Sequence, residues 1–205
     1  AGVVPFDKAI RAGVNFLIVH HGMFWDSPQP ITGPAYSRLH ALFQHDVAVY
    51  SSHLPLDCHP EIGNNAIIAE KLLLVPDAWI LPVEGNPVAA SAPCDYPREE
   101  LLSKLRRLFG ESVVAIEFGS TQPDRVAILS GAGAGAITEL RENDIDTLIT
   151  GEAKQNHFNY AQEHEINLYI CGHYATETFG VSALAKRAAD HFGLPWGFIA
   201  VDCPL

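Results

Sequence analysis

Short apolar runs rich in β-branched residues alternate along the chain with segments whose apolar positions recur every three or four residues. The runs predict strands at Val14–Val19, Val47–Ser51, Val113–Phe118, Arg125–Leu129, Ile145–Ile149, Leu168–Cys171 and Gly197–Val201. The periodic segments predict helices at Phe6–Ala12, Ser37–Gln44, Asn65–Leu74, Arg98–Phe109, Ile137–Glu142, Gln155–Glu165 and Glu177–Phe192. Alternation of this kind argues for an α/β fold. The stretch Pro76–Pro97, rich in proline and small residues, reads as irregular structure between two halves, residues 1–96 and 97–205, of one compact unit.

The halves share a pattern. Ala12–Gly22 (AGVNFLIVHHG) aligns without gaps on Asn143–Ala153 (NDIDTLITGEA), each a helix end, a strand and a polar exit. His20 falls on Gly151 and His21 on Glu152. Val47–His53 (VAVYSSH) then matches Ile166–Gly172 (INLYICG), with Tyr50 on Tyr169. In the second half the strand Arg125–Leu129 and a glycine-rich turn come first. Their counterpart in the first half would precede Ala1, so an N-terminal strand is expected to be missing.

Composition narrows the function. The 205 residues are 48% hydrophobic and carry a formal net charge of -11. An acidic surface repels phosphate backbones and disfavours general nucleic-acid binding. A single nucleotide or phosphate stays open, because a metal ion can supply local positive charge. No apolar run approaches the roughly 18 residues that span a bilayer, and no secretory leader is recognisable. The cysteines, Cys58, Cys94, Cys171 and Cys203, are far apart and form no CxxC, so reduced thiols in cytoplasm are expected.

The candidate chemistry gathers at strand exits. In "LIVHHGMFW" two histidines follow an apolar run, and a polar ring at the edge of a core needs a partner. One core and one surface histidine would be the plain alternative. In "YICGHYATETFG" His173 and Glu177 are four apart, hence on one helix face. Glu177 could instead complement a helix N-terminus. In "SSHLPLDCHPEIGNN" His53 ends a strand, Asp57 sits in the loop, and Asn64 or Asn65 can cap the next helix. Asp57 as a turn aspartate is the alternative. His59, His40, His45, His157, His164 and His191 read as surface residues.

His20, His21, Asp57, His173 and Glu177 together form a nitrogen and oxygen donor set suited to Zn, Mn, Fe or Co. Five side chains exceed the three of an open catalytic zinc and fit a two-metal site with a bridging carboxylate. Such a centre keeps net positive charge, attracts an anionic substrate and makes hydroxide available near neutral pH. Glu152 in "TGEAKQNHF" exits another strand and could orient a ligand, act as general acid or base, or open a helix. "SGAGAGAITEL" loosely matches a dinucleotide fingerprint through Gly131, Gly133 and Ala136, but no P-loop lysine follows; a tight turn explains it as well.

"LIVHHGMFW", "HLPLD" followed by "GNN", "LITGE" and "GHYATE", in this order, resemble the NGG-interacting-factor-three-like family, known as GTP cyclohydrolase I type 2 homologues. The resemblance runs from about Pro5 to the C-terminus. It implies two similar α/β halves with a dinuclear metal site in the cleft between them, assembled as a toroidal homohexamer. It implies His20, His21, Asp57, His173 and Glu177 as ligands, with His53 and Glu152 as neighbours of the centre. The family's opening segment, with its first strand, is absent from this sequence.

The expected activity is metal-activated hydrolysis of a nucleotide or phosphorylated small molecule, with no membrane or nucleic-acid partner. A non-catalytic metal-binding or regulatory scaffold is the first alternative. A nicotinamide-dependent enzyme using the Gly131 turn is the second.

Overall fold

A computed structural model describes residues 1–24, 27–83 and 85–204 of the chain. Two compact units are present. One is built from residues 1–53 and 181–203, the other from 54–180 with the last residues of the chain. The chain is mixed α/β. The boundary expected at residue 96 rests on internal similarity, whereas these units are defined by packing.

In the first unit, α1 (Val3–Arg11), β1 (Phe16–Val19), α2 (Gly33–Gln44) and β2 (Ala48–Ser51) succeed one another. The strands pair in parallel, Phe16 opposite Ala48 and Val19 opposite Ser51. Parallel neighbours need a crossover, which α2 supplies. Buried Phe6, Leu42 and Val47 form the core, with Ile10, Leu17, Met23 and Val49 packed on it.

The second unit opens with a single helical turn, α3 (Leu54–Asp57), and then α4 (Asn64–Leu72). β3 (Ala78–Val83), β4 (Asn86–Pro93), α5 (Arg98–Phe109), β5 (Val114–Glu117) and β6 (Arg125–Leu129) follow. Two 3-10 segments, Gly133–Glu139 and Arg141–Asn143, lead to β7 (Thr147–Thr150), α6 (Gln155–Glu163), β8 (Asn167–Ile170) and a second single turn, α7 (His173–Thr176). The last helix, α8 (Thr178–Phe192), begins in this unit and ends in the first. The sheet order is β3-β4-β6-β7-β8-β5, with β6, β7 and β8 mutually parallel.

Alternation along the strands sorts side chains to two faces. Val126, Ile128, Ile149 and Tyr169 pack with Ile68, Leu72, Leu101 and Leu105 of α4 and α5. Ala127, Leu148 and Leu168 pack with Ile137, Leu140 and Ala161 on the other side. Among the described residues no helix is long and apolar enough to cross a membrane.

Three sequence expectations need correction. Pro76–Pro97 is not irregular, for it contains the antiparallel hairpin β3–β4. Its prolines lie at the hairpin end, Pro82 opposite Pro87, and at the end of β4, where a missing N–H is tolerated. Gly197–Val201 forms no strand. Ile137–Glu142 is not an α-helix but spans the end of one 3-10 segment, which begins at Gly133, and the start of a second, as suits a glycine-rich stretch of low helix propensity.

Candidate metal centre

In the first unit the carboxyl ends of two parallel strands carry the imidazoles. His20 and His21 follow β1, and His53 follows β2. The ring centroids are 5.0 Å apart for His20 and His21, 4.9 Å for His20 and His53, and 5.0 Å for His21 and His53. One nitrogen from each lies within 4.8 Å of the others, a grouping that can hold a metal ion. His20 is buried, and its Nδ1 stands 3.0 Å from the Ser52 carbonyl. A carbonyl only accepts, so Nδ1 carries the hydrogen. In the neutral ring the lone pair is then on Nε2, the arrangement usual for a metal-ligating histidine.

In the second unit the exits of β6, β7 and β8 supply Ser130-Gly131, Gly151-Glu152 and Gly172-His173. Gly172 has φ +93, which turns the chain into α7. His173 Nδ1 lies 3.2 Å from Glu152 Oε2, and His173 Nε2 lies 3.2 Å from Glu177 Oε2. Glu177 is the residue between α7 and α8, so the His173–Glu177 pair spans a break rather than a continuous helix. Glu152 precedes α6 by three residues and is not a helix-start residue. Its contact is with His173, as expected of a carboxylate that orients an imidazole.

Asp57 ends α3 and is 5% exposed. Its Oδ1 accepts hydrogen bonds from Asn64 Nδ2 (2.8 Å) and Ser130 Oγ (3.0 Å). Neither asparagine caps α4, because Gly63 holds that position. Asn65 Nδ2 instead donates to the Val88 carbonyl, and its Oδ1 accepts from Ser130 N–H.

The glycine run serves this site. Gly131 has φ +61, and a Cβ there would overlap Glu177 Oε1 and lie 3.2 Å from His173 Nε2. Its N–H donates to Thr176 Oγ1, and its carbonyl accepts from Gly151 and Glu152 N–H. The helix expected after a dinucleotide fingerprint is a 3-10 segment here, so that reading loses its structural context.

Sequence reasoning missed Asn64, Ser130 and Thr176, all buried polar residues tied to these turns. Their only signal is position beside a proline- or glycine-rich exit. His59 is half-buried, not a surface ring, with Nδ1 accepting from Glu61 and Ile62 N–H. Burial pushes the Cys171 thiol up to about 12, and burial followed by the Asp57 charge raises that of Cys58. Both are therefore protonated near neutral pH and are poor ligands compared with the imidazoles.

The donor chemistry, neutral imidazoles and carboxylates with one tautomer fixed from behind, fits a divalent transition metal. Comparison with known proteins adds the lineage. A relative from Deinococcus radiodurans, named GTP cyclohydrolase 1 type 2 homolog, is 42% identical over 193 residues, 93% of this chain and 73% of its own. One of the same name from Halobacterium salinarum is 33% identical over 98% of this chain and 81% of its own. The solved structure of TTHA1606 from Thermus thermophilus matches with a TM-score of 0.90 at 38% identity, covering 100% of this chain and 82% of that one. The family model Duf34/NIF3 (NGG1p interacting factor 3) matches residues 4–203, and the chain belongs to that family.

Proposed function

We propose that this chain is a metal-dependent hydrolase-like protein in which His20, His21, Asp57, His173 and Glu177 hold two divalent ions, Zn, Fe, Mn or Co. The substrate class is a nucleotide or another phosphorylated small molecule, in keeping with the name carried by its relatives. The observation that carries this reading is the gathering of the candidate donors at strand exits in each unit, the His20 and His21 ring centroids 5.0 Å apart with His20 Nδ1 engaged by a carbonyl, and His173 Nε2 3.2 Å from Glu177 Oε2. Bound ions would supply Lewis acidity and a nucleophilic water near neutral pH. His20 and His173 present Nε2, each held from behind at Nδ1. Glu152, whose side chain is 52% exposed, and His53 are the groups placed to hold or move a proton.

The same reading takes the two halves as an internal repeat, each giving ligands at strand exits. Local geometry supports this. Phe16 faces Ala48 as Thr147 faces Asn167, in agreement with the sequence alignment. Val14 N–H bonds the Ala9 carbonyl as Ile145 N–H bonds that of Leu140. Asp46 and Glu165, aligned residues before each second strand, both have φ 51. The homohexameric ring and the cytoplasmic location expected from the sequence belong to this proposal too.

The first experiment is elemental analysis of purified, untagged protein, followed by a hydrolysis screen over nucleotides with each metal. About two ions per chain and metal-dependent turnover are expected. Asp57→Ala and His173→Ala should each lower the content to one ion or fewer. Two ions retained in both variants would overturn the ligand assignment. Two ions with metal-dependent stability and no turnover would favour the non-catalytic scaffold instead.

A further inference from the structure

Asp57 is a buried carboxylate whose position is set by two side chains, Asn64, which the sequence offered as a helix cap, and Ser130, to which the sequence assigned no role. Asn64 Nδ2 and Ser130 Oγ both donate to the same oxygen, Oδ1, at 2.8 and 3.0 Å. Two donors on one oxygen, reaching it from different elements, restrict both side-chain torsions of the aspartate. Asn64 is fully buried at the start of α4, and its Oδ1 accepts the Gly180 N–H at 2.7 Å. Gly180 lies three residues beyond Glu177 in α8. Ser130 is equally tied down, its N–H donating to Asn65 Oδ1 at 2.8 Å. The next residue, Gly131, packs directly on Glu177 and His173. The two donors to Asp57 are thus continuous with the backbone that carries the other ligands of this unit.

We propose that Asn64 and Ser130 are positioning residues for Asp57, holding Oδ1 as an acceptor and so fixing the orientation in which the carboxylate would meet a metal ion. This rests on Asp57 being a metal ligand, as proposed above. Outer contacts of this kind typically change metal affinity by about 10–100-fold when removed. The hydrogen bond from Gly180 N–H to Asn64 Oδ1 gives the aspartate's partner a second role, tying the start of α4 to the start of α8.

The test measures Zn²⁺ and Mn²⁺ affinity by chelator competition, together with the thermal midpoint of the metal-free protein. Ser130→Ala removes only the hydroxyl and leaves the backbone bond to Asn65. It should weaken metal binding by about 10–100-fold with the metal-free midpoint near that of the parent. Asn64→Ala should weaken binding at least as much, and should also lower the metal-free midpoint because the buried Gly180 N–H loses its acceptor. Gly180→Ala adds a Cβ 2.9 Å from Asn64 Oδ1 and should shift that side chain without deleting a donor. In the Asp57→Ala background, Ser130→Ala should have no further effect on affinity.

Three outcomes overturn the proposal. Parental affinity in Ser130→Ala and Asn64→Ala, with an ion lost in Asp57→Ala, removes the positioning role and leaves Asp57 a ligand. A lowered metal-free midpoint with unchanged affinity makes the two residues structural only. Retention of both ions by Asp57→Ala overturns the ligand reading itself and this inference with it. If Asn64→Ala does not fold, Ser130→Ala alone decides.

Discussion

At Gly131 the backbone is left-handed, and any side chain would be driven into Glu177. Left-handed geometry costs an ordinary residue roughly 1–2 kcal/mol, before any overlap is counted. Gly131→Ala should therefore lower stability by at least about that amount and loosen the His173–Glu177 pair. Denaturant unfolding of the metal-free protein, beside metal titration, separates the two effects. A variant with parental stability and affinity would show that the turn tolerates a methyl group. The ligand candidates themselves were legible in the sequence because most sit one or two residues past an apolar run, where a strand must end. What holds them was not legible. Asn64 and Gly180 are 116 residues apart, and an asparagine beside a glycine looks the same whether it caps a helix or bridges to a distant turn. Glu152 could be read either way until its distance to His173 was known.

Among the elements, Arg98–Phe109 and Arg125–Leu129 have the boundaries that periodicity predicts. Both have plain signals, a proline before the helix with glycine after it, and a β-branched run. The β3–β4 hairpin had none. Its central strand is made of Val88, Ala89, Ala90, Ser91 and Ala92, buried on both faces, so no alternation marks it. Packing of α5 on the sheet has a chemical consequence. Tyr169 on β8 donates to Glu117 Oε1 of β5 at 2.9 Å, and Arg98 of α5 lies against the same carboxylate. Burial, then the Glu117 charge, raises the Tyr169 phenol above its ordinary value, and burial raises that of Tyr96. In the unfolded chain both ionise near about 10. Above that pH the unfolded state binds fewer protons than the folded one, so stability falls as pH rises. Unfolding free energies measured from roughly pH 9 to 11, around the free phenol value, should decline, and Tyr169→Phe should reduce the slope. An unchanged slope in that variant would assign the alkaline loss to other groups.

For the molecule as a whole, bound metal should act as a ligand of the folded state only. At a free ion concentration about 100-fold above Kd the gain is about 2.7 kcal/mol per site. Thermal midpoints should rise with added metal and fall back on chelation, in the parent more than in Asp57→Ala. Equal midpoints with and without metal would mean that the ions, if present, are not linked to folding. The first unit is assembled from two separated segments, residues 1–53 and 181–203, with residues 54–180 of the second unit inserted between them. Lys8 Nζ donates to the Ala200 carbonyl across that interval, and among the described residues the paired strands of this unit are β1 and β2. A two-stranded sheet is marginal alone in water. During synthesis the histidine-bearing strands therefore emerge before α8, which completes their unit. They must wait for α8, while the inserted unit can form its six-stranded sheet beforehand. Ribosome-stalled chains with residues up to about 180 emerged should protect the inserted unit from protease and leave residues 1–53 open to cleavage, so that the order of translation also sets the order in which the candidate metal ligands become available.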